Sequence, residues 1–378
     1  MSVQVSYKKQ ILFGFLLLLM VLIVIEGFIR ISDITNTLCK FTYHEIFKDY
    51  NYFEKKELCQ EYRNNIVYDR TDAIQRLMPQ TGKYININSE GFRGEEFSFT
   101  SKDYKIFFLG GSTAFGHVTS SDDFTIPALI EKEFKKKGLM VKVINAGIPN
   151  ANSRDELYYI EKYILKYSPD MVIMYDGWND MAPSRSDELT YEEFKNNSYY
   201  DNQISSPVNQ TNTGIITFFA NIDYKTGLGV SRYVADTLYG KKVIFSEDFD
   251  VDYLAKKQKI LESNWSMACN IGNEKGFQVV NIIQPILGTG NRTLTPFEKY
   301  DRSEFYNPYL IKLNLNYTEL YSCDQIYDLR NVFDEMNDIP MFFDSGHTSD
   351  FGNEIIAKKI YEMISPIVQN NIQNNIQN

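Results

Sequence analysis

Histidine is scarce: the 378 residues hold only His44, His117 and His347, none close to another in sequence. That leaves little material for a zinc site of the His-rich kind. The four cysteines, Cys39, Cys59, Cys269 and Cys323, show no C-x-x-C spacing. Their even number permits two disulfides in an oxidising compartment, but spacing does not fix the pairing. Concentrated positive charge is also missing, since 39 Lys and Arg stand against 49 Asp and Glu, for a net charge of −10. A nucleic-acid partner is excluded on that ground, because phosphate binding needs clustered Lys and Arg. No G-x-x-x-x-G-K-[ST] run is present, which removes a P-loop. Neither a cofactor nor a metal is expected.

What is present begins at the amino end. Lys8 and Lys9 precede ILFGFLLLLMVLIVIEGFI, apolar from Ile11 and broken at Glu26. About twenty residues at ~1.5 Å each span a hydrocarbon core of ~30 Å. About fifteen apolar residues at roughly −0.3 to −0.6 kcal/mol outweigh the ~3 kcal/mol of one central charge. A cleaved signal peptide is the competing reading, but no A-x-A-like site lies ahead of Cys39. The expectation is residues 1–10 in the cytoplasm, an uncleaved anchor over 11–31, and the remaining chain outside, as the positive-inside rule directs.

Residues 32–100 read as a polar, aromatic-rich extension. From there strands and helices alternate. KIFFL (105–109), VKVIN (141–145), MVIMYD (171–176) and QVVNII (278–283) read as buried strands. The helix of DDFTIPALIEKEFKKKG carries Ile126, Leu129, Ile130 and Phe134 on one face, with Asp122 and Asp123 at its start. Ser153 and Glu156 spell a capping box for the next helix. Further helices are expected near 252–272 and 352–364. Such alternation predicts an α/β fold, a parallel sheet with helices on both faces, over residues 101–367. Residues 181–245 have no clear period and form a candidate cap insertion, while the repeat NNIQNNIQN places a disordered tail at 368–378.

Ligands of such sheets gather beyond the carboxyl ends of the strands. There stand Ser112 after Gly110 and Gly111, then Gly147 in NAG, Asn179 and Asp180 in GWND, and Asp344 and His347 in DSGH ahead of the last helix. A serine hydroxyl needs a base, which His347 supplies, and Asp344 three residues earlier can orient that imidazole. The backbone N–H groups of Ser112 and Gly147 and the side-chain amide of Asn179 are the candidate oxyanion donors, each worth ~3–4 kcal/mol in a transition state. His117 is the rival base. Trp178 reads as core, Gln284 as a weak candidate for the cleft wall, and Asp180 as a helix cap.

Four blocks in order, LGGST, NAG, GWND and DSGH, resemble those of the SGNH hydrolases of the GDSL esterase and lipase superfamily. GFRG (91–94), following a membrane helix, is similar to anchored members. The resemblance implies a three-layer, flavodoxin-like domain in which Ser112, Gly147, Asn179 and His347 are the name-giving residues and Asp344 completes the triad. Gly111 departs from the usual Asp. An α/β-hydrolase shares the order Ser, acid, His, but GGSTA lacks the last glycine of the G-x-S-x-G elbow. The function expected is hydrolysis of an O-acyl, for instance O-acetyl, ester on an envelope glycan or lipid through an acyl-enzyme. A glycan O-acyltransferase and an inactive binding or assembly module are the alternatives.

Overall fold

Two apolar stripes alternate along each strand from Tyr104 onward, and they become the two faces of one sheet. The structure, a computed structural model, describes residues 6–35, 41, 44–62, 66–69, 74–182, 189–196, 250–299 and 307–377. Its main sheet contains β1 (Tyr104–Gly110), β2 (Val141–Asn145), β3 (Met171–Asp176), β4 (Gln278–Ile283) and β5 (Gln325–Asp328), all parallel, in the order β2-β1-β3-β4-β5. This is the flavodoxin-like order, and strand succession reverses on either side of β1. The crevice beyond the carboxyl end of β1 is therefore the switch point.

Helices cover both faces, as expected. Six matter here: α1 (Tyr7–Thr35), α2 (Ser112–Phe115), α3 (Ile126–Lys136), α4 (Ser153–Tyr159), α5 (Val251–Lys275) and α6 (Asp350–Gln377). Phe107, Leu109, Val172 and Met174 face Leu157 of α4 and Leu261 and Trp265 of α5. Ile106, Phe108, Val143 and Ile173 face Ile130 and Phe134 of α3 and Ile360 and Ile364 of α6. Period-two geometry sends neighbours to opposite faces, and burial on both faces makes the strands apolar throughout. Each such side chain contributes roughly 1.5–3 kcal/mol through burial.

Three local expectations need correction. α3 starts at Ile126 with Thr125 as its cap, because Asp122 is turned away to Arg93. α4 is capped by the Asn152 side chain, which accepts from Asp155 N; Ser153 instead accepts from Asn264 Nδ2 and Glu156 is buried, so no capping box forms there. The expected disordered tail at 368–378 is helical as far as Gln377. Ile364 and Val368 are fully buried four residues apart, Ile372 packs below them, and Asn371 Nδ2 donates to Tyr104 Oη. A stripe at i, i+4 spacing outweighs the polar composition between its members.

Contacts divide the chain into two compact units, residues 1–42 with 205–244, and residues 43–204 with 245–378. In the first, the Tyr7–Gly27 stretch of α1 is long and apolar enough to cross a membrane, and Ile11–Ile25 are exposed. In the second, the described part of the 32–100 extension from His44 onward joins the sheet domain rather than standing apart. Arg93 bridges Ile87 and, at the edge of β2, Asn145. Cys269 and Cys323 form a disulfide across 54 residues, and Cys59 is disulfide-bonded as well. Closing a loop of that length removes about 4 kcal/mol of unfolded-chain entropy. Most of the candidate cap at 181–245 lies outside the described residues.

Candidate active site

β1 ends at Gly110, whose φ of +147° puts the chain into a conformation that side chains rarely adopt. The chain then turns directly into α2, so Ser112 occupies the first position of a short helix. Its N–H is one of those a helix start leaves without an intrahelical acceptor. Ser112 Oγ lies 2.7 Å from His347 Nε2. His347 Nδ1 in turn lies 2.7 Å from Asp344 Oδ2. The hydroxyl, imidazole and carboxylate thus form one continuous relay, with the histidine and aspartate partly open to solvent.

Asp344 is held by its own turn, its Oδ1 accepting N–H bonds from Gly346 at 2.9 Å and His347 at 2.8 Å. Burial alone raises its pKa, but the neighbouring His347 charge and these bonds outweigh it and hold the carboxyl well below its ordinary value. Behind the turn, buried Glu298 accepts N–H bonds from Met341 and Phe342 and pairs with Arg292. The Trp178 ring lies 3.4 Å from where a β-carbon on Gly346 would stand, so it walls this turn besides packing on the core.

The glycine and asparagine blocks converge on the same place in different ways. Asn179 Nδ2 donates to Ala151 O at 2.7 Å and lies against Gly111, where a β-carbon would stand 2.1 Å from it. An amide nitrogen carries two hydrogens, so one remains for a substrate oxygen. Gly147 meets α2: a β-carbon there would stand 2.2 Å from Phe115 N. Its N–H, expected in the oxyanion hole, donates to Asn145 Oδ1 at 3.1 Å. A local turn after β2 engages that donor here, and the glycine also gives close support to α2.

Asp180 caps α4 by accepting from Ser153 N at 3.0 Å. Gln284 Oε1 accepts from Thr113 Oγ1 and Trp178 N at 3.3 and 3.4 Å, tying the serine block to the asparagine block. Behind them Glu156 and Asp176 are buried, and both carboxyls are pushed up, Glu156 by burial and then the charge of Asp176, Asp176 by burial and then the charge of Asp180. Trp265 Nε1 donates to Asp176 Oδ2 at 2.7 Å.

Sequence reasoning missed two residues. The guanidinium of Arg93 is fully buried and donates to the carbonyls of Phe115 and Gly116 at 3.0 and 2.7 Å, closing the end of α2. Tyr62 Oη also donates to Gly116 O at 2.9 Å. The only signal was GFRG itself, whose glycines at φ +86° and +117° shape the turn that delivers the arginine.

Among the described residues no group of three or more His, Cys, Asp or Glu is placed to hold a metal. No family model and no curated protein matches the chain. Among solved structures it is similar to a two-domain esterase (CEX) active on acetylated mannans, at 14% identity and TM-score 0.37 over 70% of this chain, spanning 50% of that one. It is also similar to the acetyl xylan esterase AlAXEase, at 16% identity and TM-score 0.36 over 68% of this chain and 98% of that one. A lipase/acylhydrolase from Enterococcus faecalis matches at 18% identity and TM-score 0.37, over 69% and 94% of the two chains.

Proposed function

We propose that the chain is a serine esterase of the SGNH hydrolase superfamily. One observation carries the reading: a serine at the switch point of the sheet, 2.7 Å from an imidazole that is itself 2.7 Å from a carboxylate. Ser112 Oγ attacks an ester carbonyl while His347 Nε2 takes its proton, and Asp344 holds the tautomer and balances the imidazolium. Negative charge on the carbonyl oxygen meets Ser112 N–H and the second hydrogen of Asn179 Nδ2. Collapse expels the alcohol, which receives the proton from His347. Water, deprotonated by the same histidine, then frees the acid and restores the serine.

The site faces away from the cytoplasm in this reading. Lys8 and Lys9 precede the apolar helix, and the disulfides suit an oxidising compartment. An O-acyl ester, such as an O-acetyl group, on an envelope glycan or lipid is the substrate class that this location favours. Transfer of the acyl group to a sugar needs only that a hydroxyl replace water in the second step.

The test uses the full-length protein in detergent micelles, treated with a fluorophosphonate and mapped by mass spectrometry. Modification of Ser112 that disappears in His347→Ala is expected. An unlabelled but folded wild-type protein would overturn the esterase reading in favour of a binding module. Given an acyl donor and a glycan, free acid marks hydrolysis and acylated glycan marks transfer.

A further inference from the structure

His117 touches both members of the proposed nucleophile–base pair. Its backbone N–H donates to Ser112 O at 2.8 Å, which fixes the turn that follows the nucleophile. Its ring lies against the ring of His347, with centroids 4.8 Å apart. Tyr62 meets it at 4.9 Å in a T-shaped arrangement, and the Tyr62 hydroxyl lies 2.9 Å from Gly116 O and 2.8 Å from Thr119 O. His117 thus contacts both the ring of Tyr62, whose hydroxyl is held, and the ring of His347.

The backbone that presents it is strained. Gly116 before it has φ +87°, and Val118 after it has φ +71° while almost fully buried. A β-branched residue in the left-handed region is a true outlier, and such strain persists only where the surroundings enforce it. Here they do, because Arg93 and Tyr62 both bind Gly116 O. The charged and titratable groups that face the ring are His347, Asp344, Arg93 and Tyr62. Burial, then the His347 charge, lowers the His117 pKa to about 3, so the ring is neutral at working pH and does not compete with His347 for the proton.

We propose that His117 is a positioning residue for the base, a neutral planar wall that confines the His347 ring to the orientation meeting Ser112 and Asp344 together. The proposal rests on the esterase reading for its consequence, but its geometry is measurable without turnover. The experiment compares full-length wild type, His117→Ala and His117→Phe in detergent. One readout is the far-downfield proton resonance of His347 Nδ1–H in the resting protein. The other is the rate and pH profile of fluorophosphonate labelling at Ser112, with melting temperature recorded alongside.

Loss of the wall in His117→Ala should broaden or remove the resonance and slow labelling about 10- to 100-fold, the scale of a small misplacement. His117→Phe should restore both and leave the shape of the pH profile as in wild type, since the proton acceptor beside Ser112 is unchanged. Three results overturn the proposal: an unaltered resonance and rate in His117→Ala, a His117→Phe as defective as His117→Ala at equal melting temperature, or a pH profile that changes shape in His117→Phe. If His117→Ala does not fold, His117→Leu, which fills the volume without a planar ring, takes its place. A wild type that resists the probe yet loses its resonance in His117→Ala refutes the esterase reading and supports the positioning role.

Discussion

Gly111 and Asn179 compete for one volume: a β-carbon on Gly111 would stand 2.1 Å from Asn179 Nδ2. In this chain the space beside Ser112 belongs to the amide, which reaches in and is steadied by Ala151 O.

Any side chain at 111 should therefore displace Asn179. Gly111→Ala is expected to lower kcat about 10²- to 10³-fold, the loss associated with one oxyanion donor, with little change in KM. Asn179→Ala should do the same. The decisive measurement is the double variant, which should be no slower than Asn179→Ala alone, since both changes remove one interaction. Additive losses would mean that Gly111 acts through something other than the amide.

Gly147 supports α2 by close approach, and its neighbours there are backbone atoms of Ala114 and Phe115 that cannot rotate away. Gly147→Ala should therefore shift α2 and cost about 1–3 kcal/mol, the range for overpacking. Thermal unfolding and Ser112 labelling should fall together. Because the Gly147 N–H goes to Asn145 Oδ1, Asn145→Ala frees that donor and gives a separate check on whether it can serve an oxyanion.

How far the sequence foretold this depends on where each signal resides. The bounds of β2, β3 and β4 follow from apolar runs cut off by polar residues, and the structure matches them to the residue. The convergence of Ser112, His347 and Asp344 was legible because strand ends concentrate them in short blocks. Ser153 and Glu156 misled because a capping box is a local pattern, whereas Glu156 answers to Asp176, which is distant in sequence. Arg93, Tyr62 and the placement of His117 were hidden for the same reason. Each acts through contacts between segments 22 or more residues apart, with no periodicity to announce them.

The buried pair Glu156 and Asp176 makes the fold sensitive to alkali. Burial, then the charge of Asp176, raises the Glu156 pKa well above that of an exposed carboxyl, and burial and Asp180 raise that of Asp176. Between the unfolded value near ~4.3 and the raised folded value, the native state binds more protons than the unfolded chain. Its stability then falls as pH rises, by up to ~1.4 kcal/mol per pH unit for each proton involved. Glu156→Gln keeps the shape and cannot ionise, so it removes one proton from that difference. It also leaves Asp176 to accept from Trp265 Nε1 and from the new amide. Melting temperatures across pH 5–9 should therefore decline less steeply in Glu156→Gln than in wild type, with the two curves close at the acid end and the variant higher at the alkaline end. Parallel curves would show that Glu156 is already ionised in the native state, with its charge matched by a partner other than the carboxyls around it.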